Sequence, residues 1–251
     1  MHTRILTVMT YNIHKGFGMG KMRFVLPSIR TALSELNPDM LFLQEVQGQH
    51  RIKAKRIKQW PTASQTQYLA EQLGPHYVYA KQAEYFSGHH GNAILSKYPL
   101  LDSKTKSLSP FARVSRGFIH NRIQLATHPH TIHLLCVHLG IFKQEQIEQC
   151  ETLIQWILNE VPDNAPLILA GDFNDWRNHL TPLLQEKLHI EEAFLNQTGE
   201  HAKSFPAIRP TLQVDRIYYR GLTLTEVRCL NGKPWQTLSD HLPLFASFLL
   251  S

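Results

Sequence analysis

Short apolar runs of strand length recur along this chain, and nearly every one ends at a single compact polar residue. RILTVMTYN (4–12) alternates and closes on Asn12, and DMLFLQE (39–45) closes on Glu45. The run 132–137 is followed by His138, PLILA (166–170) by Gly171 and Asp172, and Asp240-His241 precede the run 243–249. Asp215 sits inside the apolar segment QVDRIYY (213–219). Apolar residues at a period of two mark strands. The ends of neighbouring strands in packed sheets share one edge, where rigidly held side chains converge on one pocket.

The other segments complete the architecture. Helical spacing is expected over 22–36, 64–73 and 143–160, the last with Ile147, Cys150, Leu153, Ile154 and Ile157 on one face. Residues 46–60 read as a basic loop closed by Trp60-Pro61, 76–80 and 91–96 as extended, 117–126 and 131–139 as a hairpin, and 222–229 as a further strand. Thr127-His128-Pro129-His130 connects the hairpin. Strands outnumber helices and often follow one another directly. That pattern predicts a four-layer α/β/β/α sandwich of two packed mixed sheets with helices outside, not a doubly wound parallel sheet. No Gly/Ser-rich linker divides the 251 residues, so one domain over 1–251 is expected.

Composition bears on partners. The net charge of +6 favours polyanions and anionic membrane surfaces. Arg51, Lys53, Lys55, Arg56 and Lys58 concentrate it, as a solvated face or as a phosphate-attracting rim. Cys136, Cys150 and Cys229 make neither a disulfide framework nor a C-x-x-C zinc site, and the first two read as buried hydrophobes. The N-terminal residues lack a signal-peptide pattern, and no apolar run reaches the ~18 residues that span a bilayer. A cytoplasmic monomer is expected.

Each polar motif alone has a plain structural reading. Gly171-Asp172-Phe173-Asn174-Asp175 is an Asp/Asn-rich turn, or two side chains two residues apart aimed at one space. Ser239-Asp240-His241 is a cap or turn, or an acid paired with an imidazole. Glu45 faces solvent unless a metal or cation justifies its burial, and Asn12 is a hydrogen-bonded buried amide. His89, His90, His128, His130 and His133 flank turns, where histidines are common. Trp60 and Trp235 read as core, whereas Trp176 directly follows the Asp/Asn turn and is the better stacking candidate.

Taken in order, YNIH, LQE, HHGNAILS, VHLG, GDFND, VDRI and SDHLP resemble the endonuclease/exonuclease/phosphatase (deoxyribonuclease I-like) superfamily over about residues 5–248, and most closely its small single-domain bacterial branch. The resemblance implies a metal held by Glu45 and Asp240 with Asn12 nearby. It gives Asp172 the role of positioning and deprotonating the attacking water, and makes Asn174 its partner. It implies that His241 contacts phosphate, oriented by Asp215, and that His138 is a second phosphate-side histidine. Arg116, with Arg113 as a rival, Asn92 and Trp176 are weaker substrate-binding candidates. The chain departs from relatives at Arg216, where many carry histidine or tyrosine, and at His14, a place that is acidic in some nucleases. It lacks the tryptophan-rich C-terminal segment of abasic-site endonucleases and the cysteine pair of secreted nucleases.

The chemistry agrees with the resemblance. Phosphate diesters repel nucleophiles, and a hard cation on oxygen ligands offsets that charge, so Mg²⁺, with Mn²⁺ as a substitute, is the expected cofactor. The expected function is a metal-dependent phosphodiesterase acting on DNA or RNA. A phospholipid or small-molecule phosphoesterase is the alternative. A non-catalytic binding module is disfavoured by the complete acidic and histidine set.

Overall fold

Alternation along the strands sorts side chains into three apolar layers. In the first strand, Leu6 and Val8 point to one side, and Met9 and Tyr11 to the other. The computed structural model describes residues 4–21, 23–108, 116–125 and 130–250. In chain order the first half contains β1 (Arg4–Asn12), α1 (Leu26–Leu36), β2 (Met40–His50), α2 (Arg51–Arg56), α3 (Gln65–Leu73), β3 (His76–Tyr85), β4 (Gly88–Ser96) and β5 (Leu101–Ser107). There follow β6 (Gly117–Ile123), β7 (Ile132–His138), α4 (Lys143–Glu160), β8 (Leu167–Asp172), α5 (Leu180–Leu188) and β9 (Glu191–Glu192). The chain ends with α6 (Ala193–Thr198), β10 (Asp215–Arg220), β11 (Thr223–Cys229), α7 (Trp235–Leu238) and β12 (Leu244–Leu250).

The strands form two mixed six-stranded sheets, ordered β11-β12-β1-β2-β4-β3 and β5-β6-β7-β8-β10-β9. Phe42, Ile94 and Phe248 of the first sheet meet Leu134, Ile168 and Ile217 of the second in the layer between them. The outer face of the first sheet packs on α1, α3 and α7 through Leu26, Ile29 and Leu69. That of the second packs on α4 and α5 through Leu153, Ile157 and Leu184. Each such fully buried side chain contributes about 1.5–3 kcal/mol of transfer free energy. The result is the expected four-layer α/β/β/α sandwich.

Several elements differ from expectation. Helix α1 begins at Leu26, not at 22, because Phe24 bridges to Phe17 and Val25 N–H donates to Gly16. The expected 46–60 loop instead continues β2 to His50 and then forms α2. Strand β3 runs on to Tyr85. Strand β5 was not anticipated: LDSKTKS is exposed along its length and has no alternation, as suits a charged sheet edge. Helices α5, α6 and α7 and the two-residue β9 were also missed. Asp215 is the first residue of β10, not an interior one. Gly171 lies within β8, not in the turn after it, and a Cβ there would come within 2.0 Å of the Val137 carbonyl oxygen. Glycine therefore lets β7 and β8 close up beside His138 and Asp172. Arg113 and His128 fall outside the described residues. Cys136 and Cys150 are buried, and all three cysteines are free.

Candidate active site

Two parallel pairs set the site. Strands β1 and β2 pair in parallel with Asn12 opposite Gln44, and β7 and β8 in parallel with His138 opposite Asp172. Strands β1, β7 and β8 end at one rim, which β2 passes at Gln44–Glu45. Antiparallel β10 starts there, with Asp215 opposite Asp172, and β12 is entered through Asp240-His241.

Asp172 lies at the centre and is 1% exposed. Its Oδ2 accepts a hydrogen bond from Asn12 Nδ2 at 3.0 Å, which joins the two sheets. His138 Nε2 lies 3.4 Å and His241 Nε2 3.8 Å from the same oxygen. Asp172 Oδ1 accepts the Asn174 backbone N–H at 3.0 Å. Asn174 Nδ2 donates to the Leu139 carbonyl, so the turn after β8 is tied to the turn after β7. Buried glutamines of α4 secure the same junction. Gln146 Nε2 donates to the carbonyls of Gly140 and Asn174, and Gln149 Oε1 accepts the Gly140 N–H.

His241 Nδ1 lies 2.9 Å from Asp215 Oδ2, which also accepts the Ser204 hydroxyl at 2.6 Å. Burial works against charge on His241, but Asp215 and Asp172 outweigh it and raise the imidazole to about 10. Burial raises Asp172 to about 6, Asp215 adds to this, and His241 opposes it. Near neutral pH the pair is therefore a carboxylate facing an imidazolium. Burial and the Arg116 guanidinium hold His138 well below the ordinary imidazole range. Arg116 Nη1 sits 2.8 Å from His138 Nε2 and 3.1 Å from its Nδ1.

The expected metal carboxylates stand beside this cluster, and sequence reasoning missed their partners. Lys15 Nζ lies 2.5 Å from Glu45 Oε2. Burial disfavours the Glu45 carboxylate, but Lys15 and then His138 hold it well below the usual carboxylate range. His14 Nδ1 lies 3.4 Å from Asp240 Oδ1. One 3-10 turn, His14–Gly16, thus supplies a cation-forming side chain to each acid. His14, Lys15, Glu45 and Asn174 all have φ between 45° and 59°, a region that non-glycine residues seldom adopt and that recurs where function holds the backbone. Ser239 donates from its hydroxyl to the Asn12 carbonyl and positions Asp240 beside β1.

Two carboxylates and the Asn12 amide oxygen make a hard oxygen donor set, and these residues fit a Mg²⁺-type cation. Asp172, Asp215 and His241 also bring one ligand-type atom each within 4.8 Å of one another, a second possible metal-binding cluster. The remaining candidates are less central. Asn92 is fully buried; its Nδ2 donates to the Gly117 carbonyl, and its Oδ1 has no hydrogen-bond partner among the described residues. Trp176 is 40% exposed and, with Phe142, Lys143, Asn174 and Arg177, lines a cleft of about 380 Å³. Trp235 is core and Trp60 stacks on Phe24. His133 is buried against His120 at the opposite end of β7 from His138. His90 interacts electrostatically with Glu45 at the edge of the site. Arg216 is fully buried. Its guanidinium donates to the carbonyls of Gln213, Asp215 and Asp175 and to Asn178 Oδ1, so it braces the Asp172 loop against β10.

Known proteins resemble this chain in sequence and fold. The chain is 37% identical over 243 residues to the Escherichia coli (strain K12) uncharacterized protein YbhP, covering 97% of this chain and 96% of that one. The crystal structure of an endonuclease/exonuclease/phosphatase from Beutenbergia cavernae superposes with a TM-score of 0.79 at 18% identity, over 99% of this chain and 72% of that one. That of D. rerio TDP2 complexed with single strand DNA product gives 0.72 at 18%, over 97% and 98%. Residues 9–241 match the profile of the Endonuclease/Exonuclease/phosphatase family, and the chain belongs to that family of phosphoester-hydrolysing enzymes.

Proposed function

We propose that the protein is a divalent-metal-dependent phosphodiesterase in which Asp172 holds and deprotonates the attacking water. The observation that carries this reading is the sharing of one buried carboxylate: Asn12 and His241 approach Asp172 Oδ2, and the Asn174 N–H fixes Oδ1. A base held at two oxygens has one orientation, and a pKa raised to about 6 suits proton transfer near neutrality. His241, kept protonated by Asp215, donates to a phosphate oxygen, and Asn174 helps hold the water. Arg116 and His138 lie on the phosphate side. Glu45, Asp240 and Asn12 hold the cation, which when bound neutralises phosphate charge and steadies the leaving oxygen. Mg²⁺ is the proposed ion and Mn²⁺ its substitute.

Nucleic acid is the substrate favoured by the net charge of +6 and by exposed Trp176 beside Arg177 in the cleft at Asn174. A specific observation favours phospholipid as the second reading: the basic segment at 51–58 abuts a phenylalanine, Phe86, that is 90% exposed. The test is hydrolysis of single-stranded and duplex DNA, RNA, phospholipid vesicles and bis(p-nitrophenyl) phosphate, each with and without Mg²⁺ or Mn²⁺. The wild type turns over at least one substrate only with metal, and Asp172→Asn loses on the order of a thousandfold or more. Intact turnover in Asp172→Asn refutes the assignment of the base.

A further inference from the structure

Between Glu45 and Glu71 the chain carries five Lys or Arg residues and no Asp or Glu. The structure gives this segment a definite place. Strand β1 stops opposite Gln44, but β2 runs on to His50, paired with β4 as far as Gly88. At ~3.3 Å per residue, this extension reaches up to about 20 Å past the rim that bears the site. Helix α2 continues from its end and has no buried residue.

The β3–β4 turn meets α2 there. Arg51 N–H donates to the Ser87 carbonyl and Arg51 Nη2 to the Phe86 carbonyl, both at 2.8 Å. The Arg51 guanidinium lies 5.7 Å from the centroid of the Phe86 ring. That ring is 90% exposed, and Ile52 beside it is 44% exposed. Lys53 turns back over Phe17, whereas Lys55, Arg56 and Lys58 face solvent. The acid on the hairpin, Glu84, is paired with Lys81.

Exposed cations alone fit any polyanion. The apolar residues among them discriminate. Single-stranded nucleic acid needs a groove whose aromatics present a flat face to bases. Phe86 instead stands 90% exposed at a hairpin tip, outside the cleft of about 570 Å³ that His50, Arg51 and Trp60 line, and an aliphatic Ile52 gains little from a base or a sugar. Phenylalanine and isoleucine projecting beside lysine and arginine match the headgroup boundary of a bilayer, where apolar side chains enter the acyl region and cations meet lipid phosphates.

We propose that α2 and the β3–β4 tip form a docking surface for an anionic phospholipid bilayer, Phe86 and Ile52 inserting and Arg51, Lys55, Arg56 and Lys58 meeting lipid phosphates. Because the extension stands beyond the catalytic rim, docking brings the mouth of the site toward the membrane. The surface is independent of which phosphoester is cleaved.

Co-sedimentation of the full chain with vesicles, in EDTA, reads binding without turnover. Vesicles of phosphatidylcholine with about one third phosphatidylglycerol retain the protein, and phosphatidylcholine alone does not. Phe86→Ser lowers the partition coefficient about tenfold. Lys55→Gln and Arg56→Gln lower it about fivefold each, and added salt weakens binding. Circular dichroism of the variants matches the wild type, and their metal-dependent turnover of a soluble phosphodiester is unchanged. Absence of binding to anionic vesicles, or a Phe86→Ser variant that partitions normally, overturns the proposal. So does an oligonucleotide that binds where vesicles do not and loses affinity on Lys55→Gln. Failure of the catalytic reading leaves the vesicle measurement intact.

Discussion

The buried histidine pair far from the catalytic rim gives a stability prediction free of any metal. Trp156 Nε1–H donates to His120 Nδ1 at 3.1 Å, so His120 carries its proton on Nε2 and donates to His133 Nδ1 at 2.9 Å. Both rings are 4% exposed. Protonating His133 at Nδ1 or His120 at Nδ1 sets two N–H groups against each other. Burial lowers each imidazole from 6.5 to about 4; the Lys104 cation adds to this at His120, and His120 and Arg122 add to it at His133. The folded state therefore binds fewer protons than the unfolded chain below pH 6.5. The stabilisation is complete above 6.5 and is lost as pH falls toward 4. Lowering an imidazole from 6.5 to about 4 is worth about 3–4 kcal/mol for one protonation, which suffices to break the chain of bonds. Urea unfolding of the wild type and of His120→Gln/His133→Gln at pH 7 and pH 4.5 isolates this contribution from the other titrating groups. The wild type loses about 2–3 kcal/mol per histidine more than the double variant over that interval. Parallel pH profiles refute the reasoning, as does an NMR titration in which both rings of the wild type ionise near 6.5.

Glu45→Gln removes the ionised oxygen assigned to the cation, so the Mn²⁺ dissociation constant measured calorimetrically rises by tenfold or more; an unchanged titration removes Glu45 from the metal set. Asp215→Asn removes the carboxylate largely responsible for raising His241, so the imidazole pKa in the metal-free protein, followed by NMR, falls by at least about one unit. Arg216→Met takes the guanidinium from the carbonyls of Gln213 and Asp215 and from Asn178 Oδ1, and leaves the Asp175 carbonyl with the Asn178 N–H alone; chemical denaturation shows a loss of about 3 kcal/mol. A variant as stable as wild type removes Arg216 from the bracing role.

Much of this was legible because strands and their ends have a period. Asn12, Glu45, His138 and Asp172 stood out as polar residues terminating apolar runs, and the structure puts all four at or beside one rim. What stayed hidden lacks such a signature. Lys15 and His14 reach the carboxylates because two successive residues adopt positive φ, a conformation that no local pattern of apolar residues announces. Gln146 and Gln149 share the buried side of α4 with Cys150 and Leu153, and nothing in the helical spacing distinguishes a polar residue bonding a neighbouring turn from one at the solvent boundary. His133 looked like a turn histidine and His120 gave no signal, because what ties them together, Trp156 bonded to His120, lies on a helix distant in sequence. Strand β5 pairs with β6 and reaches α4 through Lys104 and Lys106, and it shows solvent a lysine-rich edge, so its sequence carries no apolar record of its place.

The position of the site follows from where parallel pairing falls in otherwise antiparallel sheets. A parallel pair places two C-terminal strand ends side by side, whereas an antiparallel pair places an end beside a start. Each sheet has one such pair, β1 with β2 and β7 with β8, and packing the sheets face to face sets the ends of β1, β7 and β8 together beside the Gln44–Glu45 step of β2. The Asn12–Asp172 hydrogen bond closes that assembly across 160 residues of sequence. Asp215 and His241 then enter from strand starts that antiparallel pairing with β8 and β1 brings to the same edge. The candidate cluster is therefore a property of the inter-sheet layer as much as of its own side chains. A one-residue slip of β8 in its sheet would turn Asp172 away from Asn12, because successive side chains alternate. The close approach at Gly171, where even a methyl group would meet the Val137 carbonyl, helps fix the register that keeps His138 beside Asp172.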